Sequence, residues 1–332
     1  MRILIVGAIK GGTVPIGRAV YSAFKAIGVD ADFLDYSEFE GEFSSIRSSQ
    51  DDQKSYQFHL NLKITLLERV YAFRPDVILG ISQSPMNDTA ILAELKKAGI
   101  VLCYWFTEDY RCFDYWRETA FHFHHFFTIQ ETPFWKELEA VGCRSYHYLP
   151  AAFDVNLECS NGNPEDTIPV SFLGAPYPNR VHFFDDLPET GFQIYGEEWD
   201  RYPNASVIIG SRRIAECEAR DIYARSTINL NLHSSTNPTG FGGDFVNPRT
   251  FELAGLGAFQ LTDMRKLLTL HFDPATEIIA LSNWEEMKWA IEYFLEHDRE
   301  REEIAGRARE RVLREHTYEH RAREILDVVG RG

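Results

Sequence analysis

Short apolar runs that end near glycine alternate with longer stretches in which apolar residues recur every third or fourth position. Runs of the first kind, at 2–6, 31–36, 77–81, 100–106, 126–130 and 146–149, read as strands of a buried parallel sheet. The stretches between them read as covering helices. After the first strand, Gly7, Gly11, Gly12 and Gly17 line a turn into a helix over 15–27. No Gly-Lys-Ser/Thr follows, so this fits a tight strand-to-helix turn better than a phosphate loop. Residues 38–52 are polar and serine-rich and read as a loop. A long helix then runs to Phe73, with Leu60, Ile64, Leu67 and Tyr71 spaced as its packing face. Asp88 caps a helix to Lys97 that Gly99 closes.

The pattern starts again after a stretch over 150–167, rich in Ser, Asn, Gly and Pro, that reads as a linker. Strands are expected at 170–173, 192–196, 228–232 and 258–261, with helices at 218–225, 284–297, 302–314 and 318–329. In the helix over 302–314 Ile304, Ala308 and Val312 mark the buried stripe, and the many Glu and Arg face water. Asn247 and Pro248 end whatever precedes them and set the start of one more helix, in FVNPRTFELAGLGAFQLTD. Arg249 and Glu252 then share its first turn, three residues apart on one face.

At 332 residues the chain is long for one core, and two domains are expected. A net charge of −16 repels polyanions, which argues against nucleic acid and anionic membrane surfaces as partners. No apolar stretch approaches the length of a membrane span. The five cysteines, Cys103, Cys112, Cys143, Cys159 and Cys217, are scattered and odd in number, so reduced thiols in a cytoplasmic protein are expected. His122, His124 and His125 enter a strand with rings on opposite faces, and Asp30 and Asp32 flank a strand start; no metal site is expected at either place.

Candidate chemistry lies at strand ends and helix starts. The strand over 100–106 runs into Glu108 and Asp109, where ligands of open sheets bind; either acid could serve as a base, or the loop could cap the next helix. The positive end of the helix opened by Asn247 and Arg249 suits a phosphate. Glu252 could accept hydrogen bonds from ribose hydroxyls, or cap its own helix. Gly174 and two prolines present Arg180 at another helix start. Tyr195, Gly196, Glu197 and Trp199 follow a strand where a base could stack, although Tyr and Trp also serve as packing. In NLNLH, Asn229, Asn231 and His233 alternate with leucines and are expected to line a cleft. The glycines of 234–244 suggest a loop that orders around substrate.

NPRTFELAGLGAFQLTD, the later EIIAL and WEEM segments, and the helix that leads to His316-Thr317-Tyr318 follow one another as in the CgeB-like, spore-maturation-type glycosyltransferases of the GT-B superfamily, which the chain resembles well over 170–326 and in outline before that. The resemblance implies a GT-B fold: two α/β, Rossmann-like domains at 1–150 and 170–315 that face across a cleft, joined at 151–169, with the segment 316–332 returning to the first. It implies transfer of a sugar from a nucleotide-sugar to an acceptor, with no metal and no resident cofactor. Arg180, Arg249 and Asn247 would hold the donor diphosphate, Glu252 the ribose, and Tyr195, Gly196, Glu197 and Trp199 the base. Gly11, Gly12 and His233 would line the cleft, and Glu108 or Asp109 would be the base of an inverting enzyme. A nucleotide-sugar epimerase of the same fold and a non-catalytic sugar-nucleotide-binding or assembly protein are the rival readings.

Overall fold

In a computed structural model the described residues are 1–49, 51–159, 167–185, 192–202 and 208–331. The chain divides into two units, Met1–Pro150 with Tyr318–Gly332, and Ala151–Thr317. In the first unit β1 (Arg2–Val6), α1 (Val14–Ala26), β2 (Asp30–Leu34), α2 (Glu40–Ser49), α3 (Asp52–Phe73), β3 (Val77–Ile81), α4 (Thr89–Lys97), β4 (Val101–Phe106), α5 (Trp116–Thr119), β5 (His125–Thr128), α6 (Phe134–Ala140) and β6 (Tyr146–Tyr148) follow in order. The second unit holds β7 (Ile168–Leu173), α7 (Pro178–Asp185), β8 (Phe192–Gly196), β9 (Ile208–Ser211), α8 (Glu216–Arg225), β10 (Ser226–Asn231), α9 (Pro248–Leu256), β11 (Gln260–Asp263), β12 (Ile279–Leu281), α10 (Trp284–Leu295) and α11 (Asp298–Glu315). The last helix, α12 (Tyr318–Gly330), belongs to the first unit and packs on α1, with Arg321 Nε donating to the Pro150 carbonyl at 2.9 Å.

Both sheets are parallel, ordered β2-β1-β3-β4-β5-β6 and β12-β11-β10-β7-β8-β9. The central strands are apolar along their length because helices cover both faces: Ile3 to Val6 and Val77 to Ile81 are buried throughout. A buried core of Phe172, Phe183, Phe184, Ile194, Trp199, Leu230, Leu261 and Phe294 fills one side of the second sheet.

Several expectations change. Residues 38–49 are not a loop: a 3-10 turn at Tyr36–Phe39, capped by the Asp35 carboxylate, leads into α2. Phe39, Phe43 and Ile46 there are three or four apart and pack on the core, a period that the surrounding serines and acids obscure. In α3 the buried row is Phe58, Leu62 and Leu66, whereas Ile64, Leu67 and Tyr71 are 45%, 43% and 78% exposed. The helix carries apolar rows on two faces, and periodicity alone does not say which one faces the core. Ala151, Ala152 and Phe153, expected in a linker, are buried in the second unit, where the Phe153 N–H donates to the His316 carbonyl. The Ser160–Pro164 part of that expected linker lies outside the described residues.

Cysteines that look scattered in sequence meet in space. Cys159 and Cys217 form a disulfide with Cα atoms 5.3 Å apart, tying the segment before β7 to α8, so these two are not reduced thiols. Their separation of 58 residues hides the pairing. Cys103, Cys112 and Cys143 are free. Asp32 pairs with Arg69 and Asp30 with Arg2, while His124 Nδ1 accepts the Leu102 N–H and His125 bonds the Ser145 hydroxyl.

Candidate active site

An open parallel sheet forms a crevice where strand order reverses, at the carboxyl ends of the two strands that flank the reversal. In the second unit the chain goes from β7 outward to β8 and β9, then returns to place β10 on the other side of β7. Arg180, at the start of α7, spans that point. Its Nε and Nη2 donate to the Leu232 carbonyl, just past β10, at 3.1 and 2.7 Å. Its Nη1 donates to the Ala175 carbonyl, just past β7, at 2.9 Å. Burial, and then the neighbouring Arg249, push Arg180 down to about 9, and it stays charged at neutral pH.

Arg249 sits in the first turn of α9 and is half-buried; its Nε donates to the Tyr223 hydroxyl at 3.0 Å. The guanidinium carbons of Arg180 and Arg249 lie 5.2 and 5.9 Å from the centre of the same Phe172 ring. Among the described residues neither forms an ion pair with a carboxylate. Two cations held at a switch point without an acidic partner make a place for an anion. Glu252, one turn along α9, lies 3.8 Å from Arg220 Nε with its side chain 31% exposed. Burial raises its carboxyl above the usual range, and Arg220 and Arg249 oppose that rise. Arg220 is fixed in turn by the carbonyls of Leu157 and Asp154, at 2.9 and 2.8 Å.

The cap of α9 is Asn247, not Glu252. The Asn247 Oδ1 accepts from the Thr250 N–H and hydroxyl at 3.0 Å each, and its Nδ2 donates to Asn231 at 2.8 Å. Both ends of its amide thus hold the start of the helix in place. His233 does not line an open surface either, being 1% exposed. Its Nδ1 faces Asp263 Oδ1 at 2.9 Å, and its Nε2 accepts the Asn247 N–H at 3.0 Å, which assigns the proton to Nδ1. Burial, and then Arg265, lower the imidazole to about 4. Burial raises Asp263 as well, but His233 and Arg265 outweigh it and hold that carboxylate well below its usual range. The result is a buried brace from β10 through β11 to the start of α9, and it aims Arg249.

The expected base-binding residues divide. Trp199 is fully buried between Phe172 and Phe184, and its Nε1 donates to the Gly174 carbonyl at 2.6 Å. Tyr195 is 6% exposed, packed near Leu173 and Tyr223, and donates to Gln193. Neither ring offers a face to a base. Gly196 permits close approach of two strand ends: at its φ of +143°, a Cβ would stand 2.3 Å from the Gly174 oxygen. Glu197 alone of the four is exposed. The 234–244 loop is folded on its own turns, with Ser235 bonded to Asn179, and Asn237 accepting from Thr239.

In the first unit the reversal lies between β1 and β3. Gly11, in the loop after β1, adopts φ +107°, where a Cβ would come within 2.7 Å of the Gln83 Oε1 after β3. Gln83 Nε2 donates to one oxygen of Glu108, past the end of β4, and Tyr115 donates to the other at 2.6 Å. Glu108 is 9% exposed, and burial raises its carboxyl, against the pull of Tyr115 and Gln83. A buried carboxyl that holds its proton more tightly than usual suits proton transfer. Gly12 beside it faces open space. Asp109 does not cap the next helix, α5, whose N-cap residue is Tyr115 with no side-chain cap; its Oδ1 accepts from the Arg111 N–H at 3.0 Å and from Gln130 at 3.2 Å, so it shapes the loop. Gln83, Tyr115, Arg220 and Tyr223 are the participants that the sequence did not reveal, since none stands at a helix or strand spacing from its partner.

Residues 180–327 match the family of glycosyl transferase-like proteins. The spore protein CgeB of Bacillus subtilis strain 168 is 25% identical over 258 residues, which span 72% of this chain and 78% of that protein. The sucrose-phosphate synthase of Thermosynechococcus elongatus superposes with a TM-score of 0.63 at 8% identity, covering 100% of this chain and 98% of that one. Anabaena HepE in complex with UDP-glucose superposes with a TM-score of 0.63 at 12% identity, covering 100% and 99%. These structural likenesses speak for the fold, which is that of GT-B proteins. Among the described residues no helix is long and apolar enough to cross a membrane.

Proposed function

We propose that this chain, a CgeB-like glycosyltransferase of the GT-B fold, binds a nucleoside diphosphate sugar at the switch point of its second sheet and passes the sugar to an acceptor. The observation that carries the donor assignment is the pair of cations beside Phe172, Arg180 and Arg249, with no acid paired to either among the described residues. As the glycosidic bond breaks, charge develops on the leaving diphosphate. Arg249, supported by Arg180 and the positive end of α9, stabilises that charge in a site where water is already partly excluded. The exposed part of Glu252 accepts hydrogen bonds from the ribose hydroxyls, and Arg220 keeps it oriented. In the first unit Glu108 takes the acceptor's proton, with Gln83 and Tyr115 holding its two oxygens. The arginines do the electrostatic work, so no metal ion or resident cofactor is required. HepE was solved with UDP-glucose, which makes uridine the base to test first. A cytoplasmic location fits such a donor; in a reducing compartment the Cys159–Cys217 pair would be transient.

The test is incubation with UDP-glucose and a panel of glycan, peptide and small-molecule acceptors, with and without EDTA. Release of UDP that depends on an acceptor and persists in EDTA supports the reading. Conversion of the donor to an epimer in the absence of acceptor identifies an epimerase instead. Activity abolished by chelation and restored by Mg²⁺ or Mn²⁺ contradicts the arginine account.

A further inference from the structure

Helix α3 is apolar on two sides. Phe58, Leu62 and Leu66 close the core of the first unit, while Tyr56, Ile64, Leu67 and Tyr71 are 72%, 45%, 43% and 78% exposed, with Leu60 half-buried in the same row. A helix with apolar stripes on opposite sides is one that becomes covered on both. The outward row has a definite spacing: 60, 64, 67 and 71 are separated by four, three and four residues, the d-a-d-a seam of a two-stranded coiled coil. Leu at d and β-branched Ile at a is the combination that favours two parallel strands.

The flanking charges identify the occupant. In this register Lys63 takes a g position and Glu68 the e position five residues on. In a parallel pair of identical helices, g of one copy meets that e of the other, so Lys63 of each copy faces Glu68 of its partner, twice by symmetry. An antiparallel pair would set Lys63 against Val70 and Glu68 against Asn61, with no charge complement. The local charge is permissive as well. The whole chain carries −16, which repels a second copy, but α3 has three cations, Lys54, Lys63 and Arg69, against two acids, Asp52 and Glu68.

We infer that the outer face of α3, through Leu60, Ile64, Leu67 and Tyr71, is the interface on which a second copy of this chain docks in parallel, with Lys63 and Glu68 setting the register. Lys63 already pairs with Asp88 of its own chain at 2.6 Å, so the dimer contact requires it to bridge or exchange partners. The seam is about 17 Å long, which makes a dissociable dimer.

Sedimentation equilibrium of the full chain over a wide concentration range tests this, with thermal melts monitoring the fold. Wild type is expected to dimerise reversibly. Ile64→Asp should raise the dimer dissociation constant by more than about a hundredfold without lowering the melting temperature of the monomer, because the position is exposed. Glu68→Lys should weaken the dimer several-fold, and adding Lys63→Glu to it should restore most of the loss. A wild type that stays monomeric throughout overturns the inference. So does a dimer indifferent to Ile64→Asp, or a double charge swap that fails to recover what Glu68→Lys loses.

Discussion

Arg249 donates from Nε to the hydroxyl of Tyr223 at 3.0 Å, linking the first turn of α9 to α8. Burial raises the Tyr223 hydroxyl to about 12, so it is a neutral acceptor across the working pH range. Tyr223→Phe keeps the ring in the apolar cluster and removes only that acceptor. The expected result is a loss of UDP affinity of no more than roughly 10- to 100-fold, the bond to the charged guanidinium being worth about 1.5–3 kcal/mol. Calorimetric titration reads it; full affinity in the variant would mean that Arg249 is aimed by other contacts.

Glu252→Gln keeps size and removes the charge that would meet the ribose. Loss of a charge-assisted hydrogen bond, about 1.5–3 kcal/mol, should weaken UDP binding roughly 10- to 100-fold. Comparing UDP with a 2′,3′-dideoxy analogue separates the roles. Wild type should discriminate between the two, and the variant should bind both alike. If the variant still discriminates, Glu252 does not touch the sugar.

The alternation of apolar runs and helical stretches made both parallel sheets legible, because a strand covered on two faces must be apolar throughout. The strand end at Glu108 and the helix start at Arg249 were legible for a similar reason: Phe106 and Pro248 are local signals. What a side chain does once placed was less so. Trp199, Tyr195 and His233 have the residue types of a binding site, yet Trp199 and His233 spend their polar atoms on Gly174, Asp263 and Asn247, and Tyr195 spends its hydroxyl on Gln193. Asn247 was correctly placed at a helix start, where an Asn is most often a cap. The outward row of α3 has the same period as its buried row, so only packing separates them.

The brace through His233 has a pH signature. Its folded value of about 4 lies below the usual 6.5, so the folded state favours the neutral ring. Its contribution to stability is fully present above about pH 6.5 and is lost as pH falls towards 4, by on the order of 3 kcal/mol. Urea unfolding between pH 7 and pH 4 should show that decline, and His233→Gln should flatten it. A His233 resonance that titrates near 6.5 in NMR would contradict the buried neutral ring.

Glu108 has the opposite sign. Its raised carboxyl makes the folded state hold a proton more tightly than the unfolded chain, so its effect on stability is most favourable below the ordinary carboxylate range and is lost as pH rises through the folded value. Glu108→Gln should therefore gain stability relative to wild type as pH rises, while sugar transfer falls roughly 100- to 10,000-fold, the range for loss of a general base. UDP affinity should be unchanged. Transfer at the wild-type rate would remove Glu108 from the mechanism.

The measurement that bears most directly on the donor assignment is a titration of UDP into wild type and Arg249→Ala, with circular dichroism confirming that both are folded. The account predicts saturable binding by wild type and a loss of at least about tenfold in the variant, since a half-buried guanidinium beside a diphosphate contributes more than 1.5 kcal/mol by the usual scale of charged hydrogen bonds. Equal affinity in the two proteins would contradict it and move the donor away from the switch point of the second sheet.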